Sequence, residues 1–116
     1  MTQEEKQLLL KDLCARLPYG IKYKDPHGYK KTLEIWSPEF HTALNTILYD
    51  GKPSLYLRPM SSMTEEEGDW CNLLLYHKED TLGYYDYLNS IHVDYRGLIE
   101  MGLAIEAPEG MYDTKQ

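Results

Sequence analysis

The chain has 116 residues, of which 42% are hydrophobic and 27% charged, and its formal net charge is −7. This composition argues against intrinsic disorder, and the length suits one domain with a single core. No apolar run approaches the roughly 18 residues that a membrane span needs.

The N-terminus is acidic ahead of its apolar part and lacks the pattern of a cleavage site, so we expect no signal peptide. Cys14 and Cys71 each lie in an apolar helical pattern, where free thiols pack as small hydrophobic groups. Both features predict a cytoplasmic, reducing location.

Charge is distributed unevenly along the chain. Residues 1–63 carry seven acidic and nine basic residues, a net charge of +2, whereas residues 64–116 carry twelve acidic and three basic residues, a net charge of −9. Such asymmetry marks either an interaction surface or a solvated acidic face that keeps a small domain soluble, and the second is the commoner case.

A helix is predicted from Gln3 to Leu17. Thr2 and Glu5 form a capping box at its start, and Pro18 ends it. Its predicted apolar stripe has helical spacing and consists of Leu9, Leu10, Leu13 and Leu17.

A β-hairpin follows, with strands at residues 19–24 and 29–36 joined by the turn sequence Asp25–Gly28. Its basic and aromatic side chains fit contact with a phosphate backbone and a stacked base. They equally fit an edge hairpin whose lysines prevent aggregation. The candidate nucleic-acid contacts are Lys22, Tyr23, Lys24, Tyr29, Lys30 and Lys31.

Residues 37–49 support two predictions. Ser37 as a cap, Pro38 at the first helical position and apolar residues at helical spacing indicate a short amphipathic helix. Thr and Ile residues, followed by Asp50-Gly51, instead suit a strand that turns back into the next one.

Residues 54–67 are expected to change from strand to helix. Leu55 and Leu57 alternate with Tyr56 and Arg58 before Pro59 ends the strand, and Thr64 with Glu67 forms a capping box.

The helix that starts there is predicted to run over residues 65–76, with a second helical segment after residue 81. Leu82, Tyr85 and Leu88 are predicted to face the core in that segment, with His92 beyond them. Asp94 is expected to cap a short final helix that ends at Gly102.

Three segments, LLLKDLCARLPYG, YLRPMSSMTEEE and YLNSIHVDYRGLIEMGLAIEAPEGMY, resemble a family of small proteins from gut anaerobic bacteria and their phages and mobile elements. The resemblance covers about half of the chain. It implies an accessory or regulatory role, and it brings no known reaction, ligand or cofactor. Similar proteins are mostly extended in the middle region, which favours a strand at residues 37–49.

Residues with catalytic chemistry are few. His92 and Asp94 are two positions apart, which does not place them on one side of a helix, and we interpret them as a core histidine and a cap. The histidines and cysteines lack CxxC, HxxxH and HExxH spacing, and there is no glycine-rich phosphate loop. The sequence therefore predicts no catalytic residue, no metal site and no cofactor.

Two arginines lie beside tyrosines in otherwise acidic segments. Tyr and Arg are common anchors of protein interfaces, which makes Tyr56, Arg58, Tyr95 and Arg96 candidate interaction residues. Alternatively, each arginine holds a carboxylate through two hydrogen bonds and joins the sheet to the C-terminal helices. We favour this structural role.

The prediction for the fold is a single small α+β domain with an N-terminal helix, an antiparallel sheet of three to four strands and C-terminal helices packed on it. Residues 1–63 would form the helix-and-sheet half, residues 64–110 the helical half and residues 111–116 a mobile tail. The predicted function is non-catalytic binding or regulation through protein–protein contacts. The alternative is a nucleic-acid-associated accessory protein that uses the Lys22–Lys31 hairpin.

Overall fold

A computed structural model describes residues 2–49 and 53–112. The predicted α+β class is confirmed. The helices of the described residues are α1 (Gln3–Arg16), α2 (Phe40–Tyr49), α3 (Glu65–Asn72) and α4 (Thr81–Ser90), and the strands are β1 (Ile21–Lys24), β2 (Lys30–Leu33), β3 (Leu55–Leu57) and β4 (Ala104–Glu106).

The strands form one sheet in the order β2-β1-β3-β4. The hairpin strands β1 and β2 are antiparallel, and so are β1 and β3, but β3 and β4 are parallel. The sheet is therefore mixed, whereas the sequence predicted antiparallel strands. The parallel pair follows from the long connection through α3 and α4, which returns the chain to the sheet in its original direction. It also places one strand in the half that was predicted to be helical.

The main core lies where α1 and α2 pack on the sheet. Along α1 the buried stripe consists of Leu9, Asp12, Leu13 and Arg16, at positions i, i+3, i+4 and i+7. Leu10, which was predicted to be part of the stripe, is 42% exposed. The buried face is therefore rotated from the predicted one and includes an acid and a base.

Residues 40–49 form a helix, so the extended conformation that the family resemblance favoured is wrong and the local amphipathic pattern was right. Ala43, Ile47 and Leu48 are its buried residues. The helix starts at Phe40, because residues 38 and 39 form a turn after Ser37. Strand β2 ends at Leu33, short of the predicted Trp36. The predicted Asp50-Gly51 turn lies outside the described residues.

Strand β3 is followed by a short 3₁₀ turn and then by α3, which begins with the predicted capping box of Thr64 and Glu67. From residue 73 to 77 the helix continues as a π-helix. Leu88 packs with Cys71 and Val93 in a second, smaller hydrophobic cluster. His92, beyond α4, is also buried as predicted, but the predicted stripe is wrong at Leu82, which is 85% exposed, and at Tyr85, which is 45% exposed.

The last described residues pack against the sheet. Residues 94–103 form turns in place of the predicted helix, although the Asp94 carboxylate does accept hydrogen bonds from the backbone N–H groups of Leu98 and Ile99. Tyr112, which was assigned to a mobile tail, is buried, and residues 113–116 lie outside the described part. None of the described helices combines the length and apolar character that crossing a membrane requires.

Candidate functional site

Arg58 joins the end of the sheet to the start of α3. Its Nη1 and Nη2 donate to the two carboxylate oxygens of Glu67, at 2.9 and 2.7 Å, and its Nη2 also donates to the backbone carbonyl of Ser62. Both charged side chains are buried. Burial by itself raises the pKa of Glu67, but hydrogen bonds and charge from Arg58, with a hydrogen bond from the Thr64 N–H, outweigh it and hold the pKa below its usual 4.5. The two-oxygen pairing is the geometry expected for the structural role.

Arg96, the second predicted arginine, lies at a buried cluster around Asp12. Asp12 accepts hydrogen bonds from Nε of Arg16 at 2.8 Å and from Nε of Arg96 at 3.1 Å. Arg16 also donates from Nη2 to the carbonyl of Val93, at 2.7 Å. Both guanidinium groups lie near the ring of Tyr95, at 5.4 and 4.9 Å from its centroid. The cluster therefore ties α1 to the segment that follows α4.

Sequence reasoning missed Asp12 and Arg16. Neither residue belongs to the apolar stripe that was predicted for this helix. Both side chains are fully buried and form an i,i+4 ion pair. Their spacing was the available signal, since residues 9, 12, 13 and 16 lie on one face of a helix. That face contains two charges, so a search for apolar residues alone passes over it.

Tyr56 and His92 are held by the C-terminal segment. The hydroxyl of Tyr112 donates to the carbonyl of Tyr56 at 2.7 Å and accepts from the backbone N–H of Lys22 at 3.2 Å. The Tyr112 ring stacks on the imidazole of His92, with centroids 4.2 Å apart. Tyr56 and His92 are both buried, so the structure places them inside the domain.

His92 has the environment of a core histidine. Its Nε2 donates to the carbonyl of Tyr19 at 3.1 Å, and its buried Nδ1 has no hydrogen-bond partner within the described residues. Burial and the nearby charge of Arg16 lower its pKa to about 4. The carboxylate of Asp94 is engaged with backbone N–H groups. The two residues are thus not joined as a base and its orienting acid.

Neither the Cys71 thiol nor the metal-binding types of side chain give a candidate site within the described residues. Burial raises the pKa of the Cys71 thiol, and the nearby Glu67 carboxylate raises it further, which disfavours the thiolate. Among residues 2–49 and 53–112 there is no group of three or more His, Cys, Asp or Glu side chains that could hold a metal ion.

The hairpin presents a basic face on an edge of the sheet. The β1–β2 register sets Lys24 opposite Lys30, and Lys22 opposite Thr32. Tyr29 is 69% exposed at the end of the hairpin. Tyr23 and its cross-strand neighbour Lys31 lie on the other face, where Tyr23 is buried and Lys31 pairs with Asp25 at 3.4 Å. Of the six predicted contacts, the structure therefore places Lys22, Lys24 and Lys30 on one face and Tyr23 and Lys31 on the other, with Tyr29 outside the paired strands.

The helical half contains an open groove of about 570 Å³ along α3 and the π-helix. Two acidic residues, a tryptophan and three further side chains line it. These residues are Glu66, Asp69, Trp70, Asn72, Leu73 and His77. Trp70 is 43% exposed and packs edge-on against Tyr87, with centroids 6.4 Å apart. The ammonium group of Lys78 lies over the Trp70 ring, 5.6 Å from its centroid. The groove can therefore hold a cation between a π-face and carboxylates.

Large apolar side chains are also exposed at residues within or shortly after the segment that lines this groove. Tyr76 is 75% exposed on the π-helix, and on α4 Leu82 and Tyr85 are three positions apart and so share a side of the helix. No such exposure was predicted for α4.

Comparison with known proteins gives no match to a family model, a curated protein or a solved structure. The resemblance to proteins of gut bacteria and phages stays a prediction.

Proposed function

We propose that this chain is a non-catalytic binding or regulatory protein that acts in the cytoplasm through contacts with another protein. Its setting, on the family resemblance, is a phage or mobile element. The observation that supports this function is the exposure of Trp70, Tyr76, Leu82 and Tyr85 on an acidic half of the chain.

The reasoning is energetic. An exposed leucine or aromatic ring gains free energy when a partner removes it from water, at about 25 cal/mol per Å². Aromatic side chains are enriched in the residues that dominate binding at protein interfaces, and acidic residues around them select the partner by charge. The proposed contact uses other side chains than the four candidates. Arg58 and Tyr56 are buried, Arg96 is bound to Asp12, and the Tyr95 ring lies against Arg16 and Arg96.

The test compares three forms of the protein as bait in a host lysate. Leu82→Ser/Tyr85→Ser removes two exposed apolar groups of α4, and Trp36→Ser is the matched control, since Trp36 is 80% exposed in the turn after β2. We expect one protein to be retained by the wild type and the control and lost with the double variant. Equal retention by all three forms, or loss with the control alone, would contradict the proposal.

Nucleic-acid association through the hairpin is the second candidate, and the opposed pair Lys24–Lys30 favours it. Like charges directly across a ladder repel each other, and a bound phosphate would relieve that repulsion. The test measures affinity for a DNA or RNA oligonucleotide against salt concentration. This candidate requires a steep salt dependence that disappears when Lys22, Lys24, Lys30 and Lys31 are changed to Ala, and that persists in a Lys6→Ala/Lys11→Ala control.

A further inference from the structure

The groove on α3 has the chemistry of a site for a positively charged side chain. Glu66, Trp70, Leu73 and His77 follow one another at helical spacing, and Asp69 adjoins them. A carboxylate attracts a cation, and the face of an indole ring is the best of the aromatic surfaces for holding one. The apolar side of the groove suits the methylene stem of a long basic side chain.

Lys78 already shows that the Trp70 ring accepts a cation, because its ammonium group lies over that ring. Residue 78 is eight positions after Trp70, which is about 80° round a regular α-helix at about 100° per residue. The π-helix at residues 73–77 has more residues per turn and so reduces this angle. The wide turn thus brings the chain's own lysine back over the ring.

We infer that the groove binds an arginine side chain of a basic segment in the partner protein, which displaces Lys78 from Trp70 and pairs with Glu66 and Asp69. This inference names the partner chemistry of the proposed function and rests on it. The partner segment is basic because residues 64–116 carry a net charge of −9. Arginine is favoured over lysine because a planar guanidinium group stacks on a ring while its N–H groups donate to a carboxylate.

Lys78 then acts as an internal competitor. While Lys78 lies over the Trp70 ring, an incoming cation competes with it for that ring, so removing Lys78 makes the ring more available. Removing any other lysine makes the chain equally more acidic but leaves the ring covered. A comparison between two lysines therefore separates binding at the groove from general attraction by net charge.

The experiment uses the full chain with Trp36→Phe, which leaves Trp70 as its only tryptophan. Hexa-arginine and hexalysine peptides are titrated at about 0.15 M ionic strength, and Trp70 fluorescence is followed. We expect saturable binding of hexa-arginine, weaker binding of hexalysine, and about a threefold gain in hexa-arginine affinity for Lys78→Met. Lys11→Met is the matched control, and we expect it to change the affinity by less than half of that gain.

Two further variants test the walls of the groove by calorimetry. Trp70→Leu, and separately Glu66→Gln/Asp69→Asn, are expected to weaken hexa-arginine binding at least about fivefold. Because Trp70 and both acids are exposed, we expect these variants to fold, which circular dichroism and the unfolding midpoint check. If Trp70→Leu does not fold, the comparison between Lys78 and Lys11 still decides the matter.

Equal binding of the two peptides, or equal effects of Lys78→Met and Lys11→Met, would overturn the inference and leave only net-charge attraction. The proposed function would survive that result if capture in the lysate still depended on Leu82 and Tyr85. The opposite result is also informative. If hexa-arginine binds the groove but the lysate protein is retained equally by Leu82→Ser/Tyr85→Ser, the cation site is supported and the proposed contact surface is contradicted.

Discussion

The buried imidazole of His92 makes the stability of the domain depend on pH. Burial lowers its pKa to about 4 from an ordinary value of 6.5, and the charges of Arg16, Lys22 and Arg58 act in the same direction. The hydrogen bond to the carbonyl of Tyr19 acts against them. In the unfolded chain the imidazole takes up a proton below about pH 6.5, whereas in the folded chain it stays neutral down to about pH 4.

The contribution of the neutral His92 imidazole to stability is therefore fully present above pH 6.5 and is lost as the pH falls toward 4. Between pH 8 and pH 5 the two pKa values give a loss of about 2 kcal/mol in the free energy of unfolding. That is a large part of the roughly 5–15 kcal/mol available to a small domain.

The assay is urea unfolding of the wild type and His92→Gln at both pH values. Glutamine keeps an N–H that can donate to the carbonyl of Tyr19 but does not titrate. Between pH 8 and pH 5 we expect the unfolding free energy of the wild type to fall by about 2 kcal/mol more than that of His92→Gln. Groups that titrate in both proteins, such as Glu67, contribute equally and cancel in this comparison. Equal losses in the two proteins would refute the reasoning, as would a wild type that becomes more stable at pH 5.

Three other predictions concern the buried polar contacts. Arg58→Met leaves the Glu67 carboxylate buried without its cation and should lower the unfolding free energy by about 3–5 kcal/mol. The double variant Arg58→Met/Glu67→Met should recover part of that loss, and denaturant unfolding measures both variants. Asp12→Asn removes the carboxylate shared by two arginines and should cost a similar amount, about 3–5 kcal/mol, by the same assay, whereas an unchanged midpoint would contradict the structural role of the cluster. Tyr112→Phe removes the hydroxyl that bonds Lys22 and Tyr56, so it should cost about 1–3 kcal/mol and speed hydrogen exchange at the Lys22 amide; unchanged exchange there would count against the contact.

Local signals predicted the parts of the fold that depend on neighbouring residues. Both capping boxes, at Thr2 and Thr64, are present because the side chain and the backbone groups that it satisfies are three residues apart. The hairpin turn at Asp25 is likewise local, since its carboxylate accepts from the backbone N–H groups of His27 and Tyr29. The geometry of such contacts is fully encoded in a short stretch of sequence.

The errors concern which side of an element meets the rest of the chain. The buried side of α1 includes Asp12 and Arg16 because Arg96, 84 positions after Asp12, completes their ion-pair cluster. Leu82 is exposed because α4 packs through Leu88, whose partners are Cys71 and Val93. Parallel pairing of β3 with β4 also joins distant segments. The apolar pattern of each helix or strand does not identify these distant partners.

The candidate site shows the same division. The sequence favoured a structural role in which Arg58 holds a carboxylate and joins the sheet to the C-terminal helices, but it did not identify Glu67 as that carboxylate. It did not predict the groove, because the position of Lys78 over Trp70 depends on the π-helix between them. A wide turn of this kind has no reliable sequence signature.

The distribution of buried and exposed acids explains why the acidic half suits binding. Glu67 and Asp94 are used inside the domain, the first by Arg58 and the second by backbone N–H groups. Glu66 and Asp69 belong to the same acidic half but are exposed along the groove. Their charge is neutralised by solvent ions in the free protein, and a basic partner that replaces those ions gains affinity that falls with added salt. The internal acids stabilise the domain whether or not a partner is bound, so substitutions at Glu66 and Asp69 should change binding with little effect on stability, and substitutions at Glu67 should do the reverse.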